Sequence, residues 1–207
     1  MIELYTWPTP NGRKISIMLE ELNAEYKVIP IDIKNNEQYS KFFSKISPSN
    51  KIPAIIDREN KQSIFESGAI MLYLAEKYNK LIDKKNYWEI MQWFYYQISQ
   101  VGPYFGQAHN YLHYFPGKSK FAEERSKAYV NRVYQTLDDR LSIFDYLGIE
   151  YSVADIATWP WVARFEMHKA EIGKYPNVLK WYRRIAKRPA VIKGYNVVGD
   201  FCEIPKP

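Results

Sequence analysis

Cysteine is almost absent from this chain, since Cys202 is the only one in 207 residues. A single thiol cannot form an internal disulfide framework, a Cys-x-x-Cys redox pair or a thiolate-rich metal site. We therefore expect no bound metal. Any redox chemistry of thiols would have to use a thiol that another molecule brings.

Long apolar runs are lacking as well. The sequence has no stretch of about 18 consecutive apolar residues, and Met1 leads directly into a strand-like segment rather than into a basic and then apolar leader. Hydrophobic residues make up 46% and charged residues 25% of the chain, as in one or two folded domains. These features predict a cytoplasmic protein without membrane association.

The basic charge is mild and diffuse. The formal net charge is +6, with 11 basic and 10 acidic residues in positions 1–80 and 18 and 13 in the remainder. The densest cluster, at positions 183–188, falls at the end of a predicted helix, where cations interact favourably with the helix dipole. No nucleic-acid-binding motif is present, so we expect no nucleic-acid partner.

Strand and helix patterns alternate in the first 80 residues, in the order β-α-β-α-β-β-α. A parallel strand pair joined by a crossover helix and followed by an antiparallel hairpin predicts a small mixed sheet covered by helices. The predicted strands are 2–5, 26–31, 54–57 and 63–65, and the predicted helices are 11–23, 38–45 and 67–78.

Beyond residue 87 the apolar spacing becomes helical, with predicted helices at 87–112, 121–146 and 153–169. We therefore place an α/β domain at residues 1–80 and an all-α domain at residues 87–200. Gly102-Pro103 predicts a kink in the first long helix. Ser152 and Asp155 have the spacing of a capping box, so their predicted role is structural.

Residues 50–70 contain the features of a site for an extended peptide. Pro53 cannot donate a ladder hydrogen bond and holds Ile52 in an extended conformation, which leaves the Ile52 main chain available to a ligand. Glu66 supplies a carboxylate for an ammonium group. Ser67 supplies a hydroxyl, together with helix-start amides, for a carboxylate.

The Lys-Ile-Pro-Ala and Glu-Ser-Gly-Ala segments, followed by Tyr-Leu-Ala-Glu-Lys, resemble the thioredoxin-like domain of cytosolic glutathione transferases. The opening Leu-Tyr and Pro-Thr-Pro-Asn-Gly segments narrow the resemblance to the bacterial nu class, which includes glutathione-dependent disulfide-bond oxidoreductases. The resemblance extends from Ile2 to about Pro189 and departs from the family pattern at residues 144–151. It implies the glutathione transferase architecture, glutathione as substrate and a homodimer.

The resemblance also implies that Thr9 and Asn11 lie beside the glutathione sulfur as catalytic residues. A thiol is a poor nucleophile at neutral pH, so its thiolate must be stabilised by donors, positive charge or a helix start. A purely structural interpretation makes Asn11 the helix cap and Thr9 a turn residue. Tyr5 is a rival, because other classes activate the thiol with a tyrosine near the end of the first strand.

Further site residues follow from the same resemblance. Ile52, with Pro53, would pair with the cysteinyl main chain, while Glu66 and Ser67 hold the γ-glutamyl end. The residues that would complete the glutathione site are Asn11, Gln38, Lys51 and Arg132, although solvated side chains or, for Arg132, an exposed helix salt bridge are the alternatives. The second-substrate candidates are Gln97, Tyr104, Gln107 and His109, whereas His113 and His168 are interpreted as structural or solvated.

Three functions remain compatible with these residues. In the first, a glutathione thiolate attacks a small disulfide and a second glutathione resolves the mixed disulfide, so that no protein cysteine is needed. In the second, the thiolate attacks an electrophilic carbon. In the third, the chain binds glutathione as a regulatory protein without turnover. We expect Cys202 to be dispensable in all three.

Overall fold

The computed structural model describes residues 1–198 and 203–207, which form two units. Unit 1 comprises Met1–Lys80 and Lys187–Ile204, and unit 2 comprises Leu81–Ala186 and Pro205–Pro207. The residues after 186 that precede the tail are thus grouped with the first unit, whereas the sequence-based division assigned them to the helical domain. Cys202 lies outside the described residues.

Unit 1 is built on a four-stranded mixed sheet with the strand order β2-β1-β3-β4. Strand β1 runs parallel to β2 and antiparallel to β3, and β3 is antiparallel to β4. The predicted crossover pair and hairpin are therefore confirmed. The strands are β1 (Ile2–Thr6), β2 (Tyr26–Pro30), β3 (Ala54–Asp57) and β4 (Gln62–Phe65).

Helices cover this sheet in the predicted order. Pro10 begins the first helix, one residue earlier than predicted, because proline needs no amide hydrogen at the first helical position. The stretch predicted at 38–45 forms a 3-10 turn, Glu37–Tyr39, and a separate short helix. The helices of unit 1 are α1 (Pro10–Glu21), α2 (Phe43–Ile46), α3 (Ser67–Tyr78) and, after the helices of unit 2, α9 (Pro189–Tyr195).

Helix α9 packs tightly on α1. A methyl group at Gly194 would overlap with the Ile17 backbone, so only glycine allows this approach. Ser16 Oγ donates to the Gly194 carbonyl at 2.6 Å, and Arg13 Nε donates to the Tyr195 carbonyl at 3.1 Å. The Arg13 guanidinium also lies 3.6 Å from the centre of the Tyr195 ring. These contacts explain why α9 belongs to unit 1.

The longer elements of unit 2 are helices. Isolated β-bridges join Tyr146 to Ile149 and Gly148 to Glu150. The pattern predicted as one helix at 87–112 is interrupted by π-helical turns at Gln97–Val101 and His109–Tyr114. Pro103 has no amide hydrogen, and a wider turn just before it accommodates the missing bond. The helices are α4 (Tyr87–Tyr96), α5 (Gly102–Ala108), α6 (Lys120–Ile143), α7 (Val153–Val162) and α8 (Pro176–Ala186).

The predicted helix at 153–169 is wrong in its second half. Helix α7 ends at Val162, and residues 163–169 form turns. Most hydrogen bonds there span three residues, as from the Arg164 amide to the Trp161 carbonyl, and Lys169 adopts a left-handed conformation with φ 56°. A periodic apolar pattern does not distinguish such successive turns from a continuous helix.

The capping box at the start of α7 is confirmed. The Asp155 carboxylate accepts hydrogen bonds from the Leu147 amide at 2.9 Å, the Ser152 amide at 3.1 Å and the Trp181 indole at 2.8 Å. Burial raises the pKa of this carboxyl to about 6, although the hydrogen bonds act in the opposite direction. Asp155 therefore joins three segments of unit 2.

Within the described ranges, no helix is both long enough and apolar enough to cross a membrane.

Candidate functional site

The loop before α1 is held in one conformation by a cap and a glycine. Thr9 is the N-cap, and its side-chain oxygen accepts the Gly12 amide at 3.1 Å. A methyl group at Gly12 would overlap with the Trp7 carbonyl oxygen and the Thr6 hydroxyl. The hydroxyl hydrogen of Thr9 can still be donated, because the oxygen acts as acceptor towards Gly12.

Asn11 lies in the first turn of α1 and is half-buried. The cap is Thr9, so the interpretation of Asn11 as the helix cap is wrong. Both side chains nevertheless lie at the helix start, where free amides and the positive end of the dipole favour an anion. The structure thus brings the two predicted catalytic residues together beside donors that could stabilise a thiolate.

Tyr5 points into the core of unit 1. It is only 3% exposed and packs with Ile31, Phe43, Ile46 and Ala54. Its hydroxyl donates to a Glu3 carboxylate oxygen at 2.9 Å. Burial, followed by this hydrogen bond, raises the pKa of Tyr5 to about 12. Both the burial and the engaged hydroxyl argue against Tyr5 as the group that activates a thiol.

The start of α3 carries the Glu66-Ser67 pair. Glu66 is exposed and has φ 68° and ψ 118°, a strained backbone conformation for a residue with a side chain. Such conformations cost roughly 1–3 kcal/mol and cluster at ligand sites. Ser67 is the first helical residue, so its amide has no partner within the helix. A ligand carboxylate could accept from this amide and from the Ser67 hydroxyl.

Lys14 was missed by the sequence analysis. It lies on α1, is 3% exposed and donates from Nζ to Ser67 Oγ at 3.3 Å. Burial lowers the pKa of Lys14 to about 7, and the Glu66 carboxylate counteracts this effect. A signal was available, because Lys14 precedes the buried Ile17 and Met18 by three and four residues and so falls on an apolar helix face.

The segment before β3 carries the other predicted glutathione contacts. The Ile52–Pro53 peptide bond is cis, and Ile52 packs against the cluster around Tyr5. The loop at Lys51 is fixed by Ser47, whose hydroxyl donates to the Lys51 carbonyl at 2.8 Å. Gln38 is half-buried, and its Oε1 is enclosed without a hydrogen-bond partner among the described residues. An unpaired amide oxygen of this kind is available to a ligand donor.

The second-substrate candidates in unit 2 do not share one environment. Gln107 is exposed and lines a cavity of about 660 Å³ together with Asn110 and Arg125. Tyr104 stacks on Tyr129 with ring centres 4.1 Å apart. Gln97 is 1% exposed.

His109 and His168 form a buried pair with ring centres 4.7 Å apart. Burial, followed by the charge of Arg164, lowers the pKa of His109 to about 4. His168 shares a hydrogen bond of 3.2 Å with the Tyr134 hydroxyl, and its ring centre lies 4.0 Å from that of Phe105 in a tilted arrangement. The burial of His168 and its bond to Tyr134 are consistent with the structural interpretation, and the lowered pKa of His109 favours its neutral form.

Arg132 lies on the exposed face of α6. It forms no ion pair with any residue in 1–198 or 203–207, so the helix salt bridge considered above is not observed. In the same ranges, no group of three or more histidine, cysteine, aspartate or glutamate side chains is arranged to hold a metal ion.

The sequence and the fold match a known family. Residues 1–76 match the glutathione S-transferase N-terminal domain, and residues 91–189 match the glutathione S-transferase C-terminal domain. The chain therefore belongs to the glutathione S-transferase family. Among curated relatives, it is 41% identical over 198 residues to "Disulfide-bond oxidoreductase YfcG" of Escherichia coli, covering 92% of both chains.

Other relatives agree with this assignment. "Disulfide-bond oxidoreductase YghU" of Escherichia coli is 34% identical over 212 residues, which cover 93% of this chain and 73% of that protein. A glutathione transferase structure from Pseudomonas putida, with one glutathione disulfide bound per subunit, has a TM-score of 0.90 and 35% identity, covering 96% of this chain and 92% of that chain. A glutathione transferase structure from Burkholderia graminis, with two glutathione molecules bound per subunit, has a TM-score of 0.88 and 38% identity. The match covers 96% of this chain and 89% of that chain.

Proposed function

We propose that this protein is a glutathione-dependent disulfide-bond oxidoreductase that reduces small disulfides with bound glutathione. The observation that carries the proposal is the start of α1, where Thr9 caps the helix and Asn11 lies in its first turn, while the Tyr5 hydroxyl donates to Glu3. The curated relatives named disulfide-bond oxidoreductases support the reaction type. The neighbouring structures with glutathione or glutathione disulfide bound support the substrate.

In the proposed reaction, the thiolate of one glutathione attacks a sulfur of the substrate disulfide. A new sulfur–sulfur bond forms, the old one breaks, and the leaving thiolate takes a proton from solvent. A second glutathione thiolate then attacks the mixed disulfide and releases the other substrate thiol. The products are one glutathione disulfide and two thiols, and no cysteine of the protein takes part.

The protein's contribution in this scheme is to bind glutathione and stabilise its thiolate. The Thr9 hydroxyl and the Asn11 amide would donate to the sulfur, and the α1 dipole would favour the negative charge. Ile52 would pair with the cysteinyl main chain, Glu66 and Ser67 would hold the γ-glutamyl end, and Gln38, Lys51 and Arg132 would complete the site. Gln97, Tyr104, Gln107 and His109 are proposed to face the second substrate.

We also propose a cytoplasmic homodimer whose N-terminal domain, residues 1–80, binds glutathione. The helical domain, residues 87–200, would supply the second-substrate site and the dimer contacts. Size-exclusion chromatography with light scattering tests the dimer, because a dimer of this 24.6 kDa chain doubles the mass.

The decisive experiment compares two reactions in the same preparation. Reduction of a small mixed disulfide by glutathione, coupled to glutathione reductase, is measured beside glutathione conjugation to a chloronitrobenzene. The proposal predicts disulfide turnover well above conjugation. Dominant conjugation would favour a conjugating transferase, which the family also contains. Glutathione binding without either reaction would indicate a regulatory protein.

Variants at Thr9 separate chemistry from folding. Thr9→Ser keeps the hydroxyl and should retain most activity. Thr9→Val removes both the cap and the donor, which should cost about 1 kcal/mol of stability and lower kcat for disulfide reduction by at least tenfold. Asn11→Ala should lower kcat without removing the cap. If Thr9→Val and Asn11→Ala both keep wild-type kcat, neither residue stabilises the thiolate.

A further inference from the structure

A cavity of about 660 Å³ lies within unit 2, between α5 and the first turns of α6. Small-molecule sites in proteins usually measure roughly 300–1,000 Å³, so this cavity has the size of such a site. Much of its lining is polar. The polar side chains that line it belong to Gln107, Asn110, Tyr111, Ser119 and Arg125.

Arg125 carries the only formal charge among the described residues that line the cavity. Its guanidinium forms no ion pair or hydrogen bond with any residue in the described part of the chain. The neighbouring acids have other partners. Glu123 accepts from the Gly117 amide at 2.6 Å, and Glu124 lies 3.9 Å from Lys120 Nζ. The N–H donors of Arg125 are therefore available to a ligand.

An aromatic stack supports the Arg125 side chain. The guanidinium carbon lies 4.8 Å from the centre of the Tyr129 ring, and Tyr104 stacks on Tyr129 with ring centres 4.1 Å apart. A guanidinium that rests on an aromatic ring loses less rotamer freedom on binding an anion than a freely rotating side chain does. The stack thus connects Tyr104, a second-substrate candidate, to the positive charge of the cavity.

Neutral donors lie around the same space. Gln107 and Asn110 contribute side-chain amides, and Tyr111 and Ser119 contribute hydroxyls. Ser119 Oγ accepts from the Ala122 amide at 3.3 Å, so its hydroxyl hydrogen can still be donated. No carboxylate belongs to the described lining. A guanidinium with neutral donors and without a nearby acid favours an anion, and its planar fork can hold a carboxylate through bidentate hydrogen bonds.

We propose that this cavity binds a carboxylate of the second substrate, so that the enzyme prefers small disulfides that carry carboxylate groups, with Arg125 as the specificity-determining residue. This inference rests on the proposed disulfide reduction and names its substrate class. A neutral disulfide lacks the charge-assisted contact with Arg125, and a disulfide with ammonium groups places a like charge beside the guanidinium.

The test compares three small disulfides that differ in charge: dithiodipropionate with carboxylates, hydroxyethyl disulfide without charge and cystamine with ammonium groups. Their reduction by saturating glutathione, coupled to glutathione reductase, is measured with the full-length protein. Arg125→Gln removes the charge and keeps neutral donors. Lys127→Gln removes an exposed charge from the same helix as a matched control, because Lys127 does not line the cavity.

The decisive quantity is the ratio of kcat/KM for dithiodipropionate to kcat/KM for hydroxyethyl disulfide, compared between variants so that the intrinsic reactivities of the disulfides cancel. In Arg125→Gln this ratio should fall by at least about tenfold, as for the loss of a hydrogen bond to a charged group. The fall should come from KM. The corresponding ratio for cystamine should rise, and Lys127→Gln should keep both ratios within about twofold of wild type.

Two results would overturn this inference alone: an unchanged dithiodipropionate ratio in Arg125→Gln, or an equal fall in Lys127→Gln, which would assign the preference to the overall positive charge. In either case the proposed function stands, because the wild type still reduces disulfides. Failure of the wild type to reduce any of the three disulfides would instead overturn the proposed function, and this inference with it.

Discussion

The Thr9 side-chain oxygen lies 3.1 Å from the Gly12 amide nitrogen and accepts its hydrogen bond. This contact joins the cap of α1 to the glycine that lets the preceding loop pass close to the helix. The loop geometry depends on Gly12, because a side chain there would overlap with the Trp7 carbonyl oxygen and the Thr6 hydroxyl. Thr9 can therefore present its hydroxyl at the helix start.

Gly12→Ala should displace the loop that carries Thr9. We expect kcat/KM for disulfide reduction to fall by at least tenfold, with a lower thermal midpoint, because the methyl group must push backbone atoms apart. Gly173→Ala is the matched control, since a Cβ at Gly173 meets nothing within 4 Å. Equal activities of the two variants would show that the loop tolerates the displacement.

Tyr5→Phe should leave kcat/KM for disulfide reduction within about twofold of wild type. The Tyr5 hydroxyl is buried and donates to Glu3, and burial together with that bond raises the pKa of Tyr5 to about 12. Steady-state kinetics of Tyr5→Phe and Thr9→Val, measured side by side, show which of the two residues activates the thiol. A decrease of about a hundredfold in kcat/KM of Tyr5→Phe would instead identify the tyrosine as the residue that activates the thiol.

Asp57→Asn should destabilise the protein in a pH-dependent way. Asp57 is buried and accepts from the Tyr73 hydroxyl at 2.6 Å and from Lys77 Nζ at 2.7 Å. Burial alone would raise the pKa of Asp57, but these bonds outweigh it and hold the pKa below its ordinary value. A lowered pKa stabilises the folded state above the unfolded-state value near 3.8, and this contribution is lost as pH falls through the folded-state value.

Urea unfolding at pH 7 and pH 3.5 measures this effect. At pH 7 we expect Asp57→Asn to cost roughly 3 kcal/mol, as for a buried ion pair that loses one partner. The loss in free energy of unfolding should be smaller at pH 3.5, where the charged form of Asp57 contributes less stability. Glu76→Gln, an exposed acid on α3, is the control and should change little at either pH. A cost that is independent of pH would contradict the ion-pair explanation.

Asp155→Ala should destabilise unit 2. The substitution leaves the Leu147 amide, the Ser152 amide and the Trp181 indole without their shared buried acceptor. Each unpaired buried donor costs about 1–3 kcal/mol, so the total should be on the order of 3 kcal/mol or more. The urea midpoint measures the loss, with the exposed Asp139→Ala as control. Activity of the remaining folded protein should be unchanged, since Asp155 is assigned a structural role.

Several parts of the fold could be predicted from local pattern. The strands of unit 1, the crossover pair and the hairpin follow from apolar periodicity, and the α3 bounds agree with the prediction. Helix ends were less predictable. Residues 163–169 continue the apolar pattern of α7 but form turns, because periodicity records burial rather than hydrogen bonding. The π-helical turn before Gly102 is visible in sequence only as the Gly-Pro pair.

By itself, the sequence determined the family, the order of the elements and the presence of a single cysteine. These depend on residue identity and spacing along the chain. Only the tertiary structure decided which face of β1 buries Tyr5, that Thr9 is the cap of α1, and that Lys14 meets Ser67 across 53 positions. Each of these depends on the packing of segments that are distant in sequence, and the periodicity of one strand or helix contains no information about its neighbours.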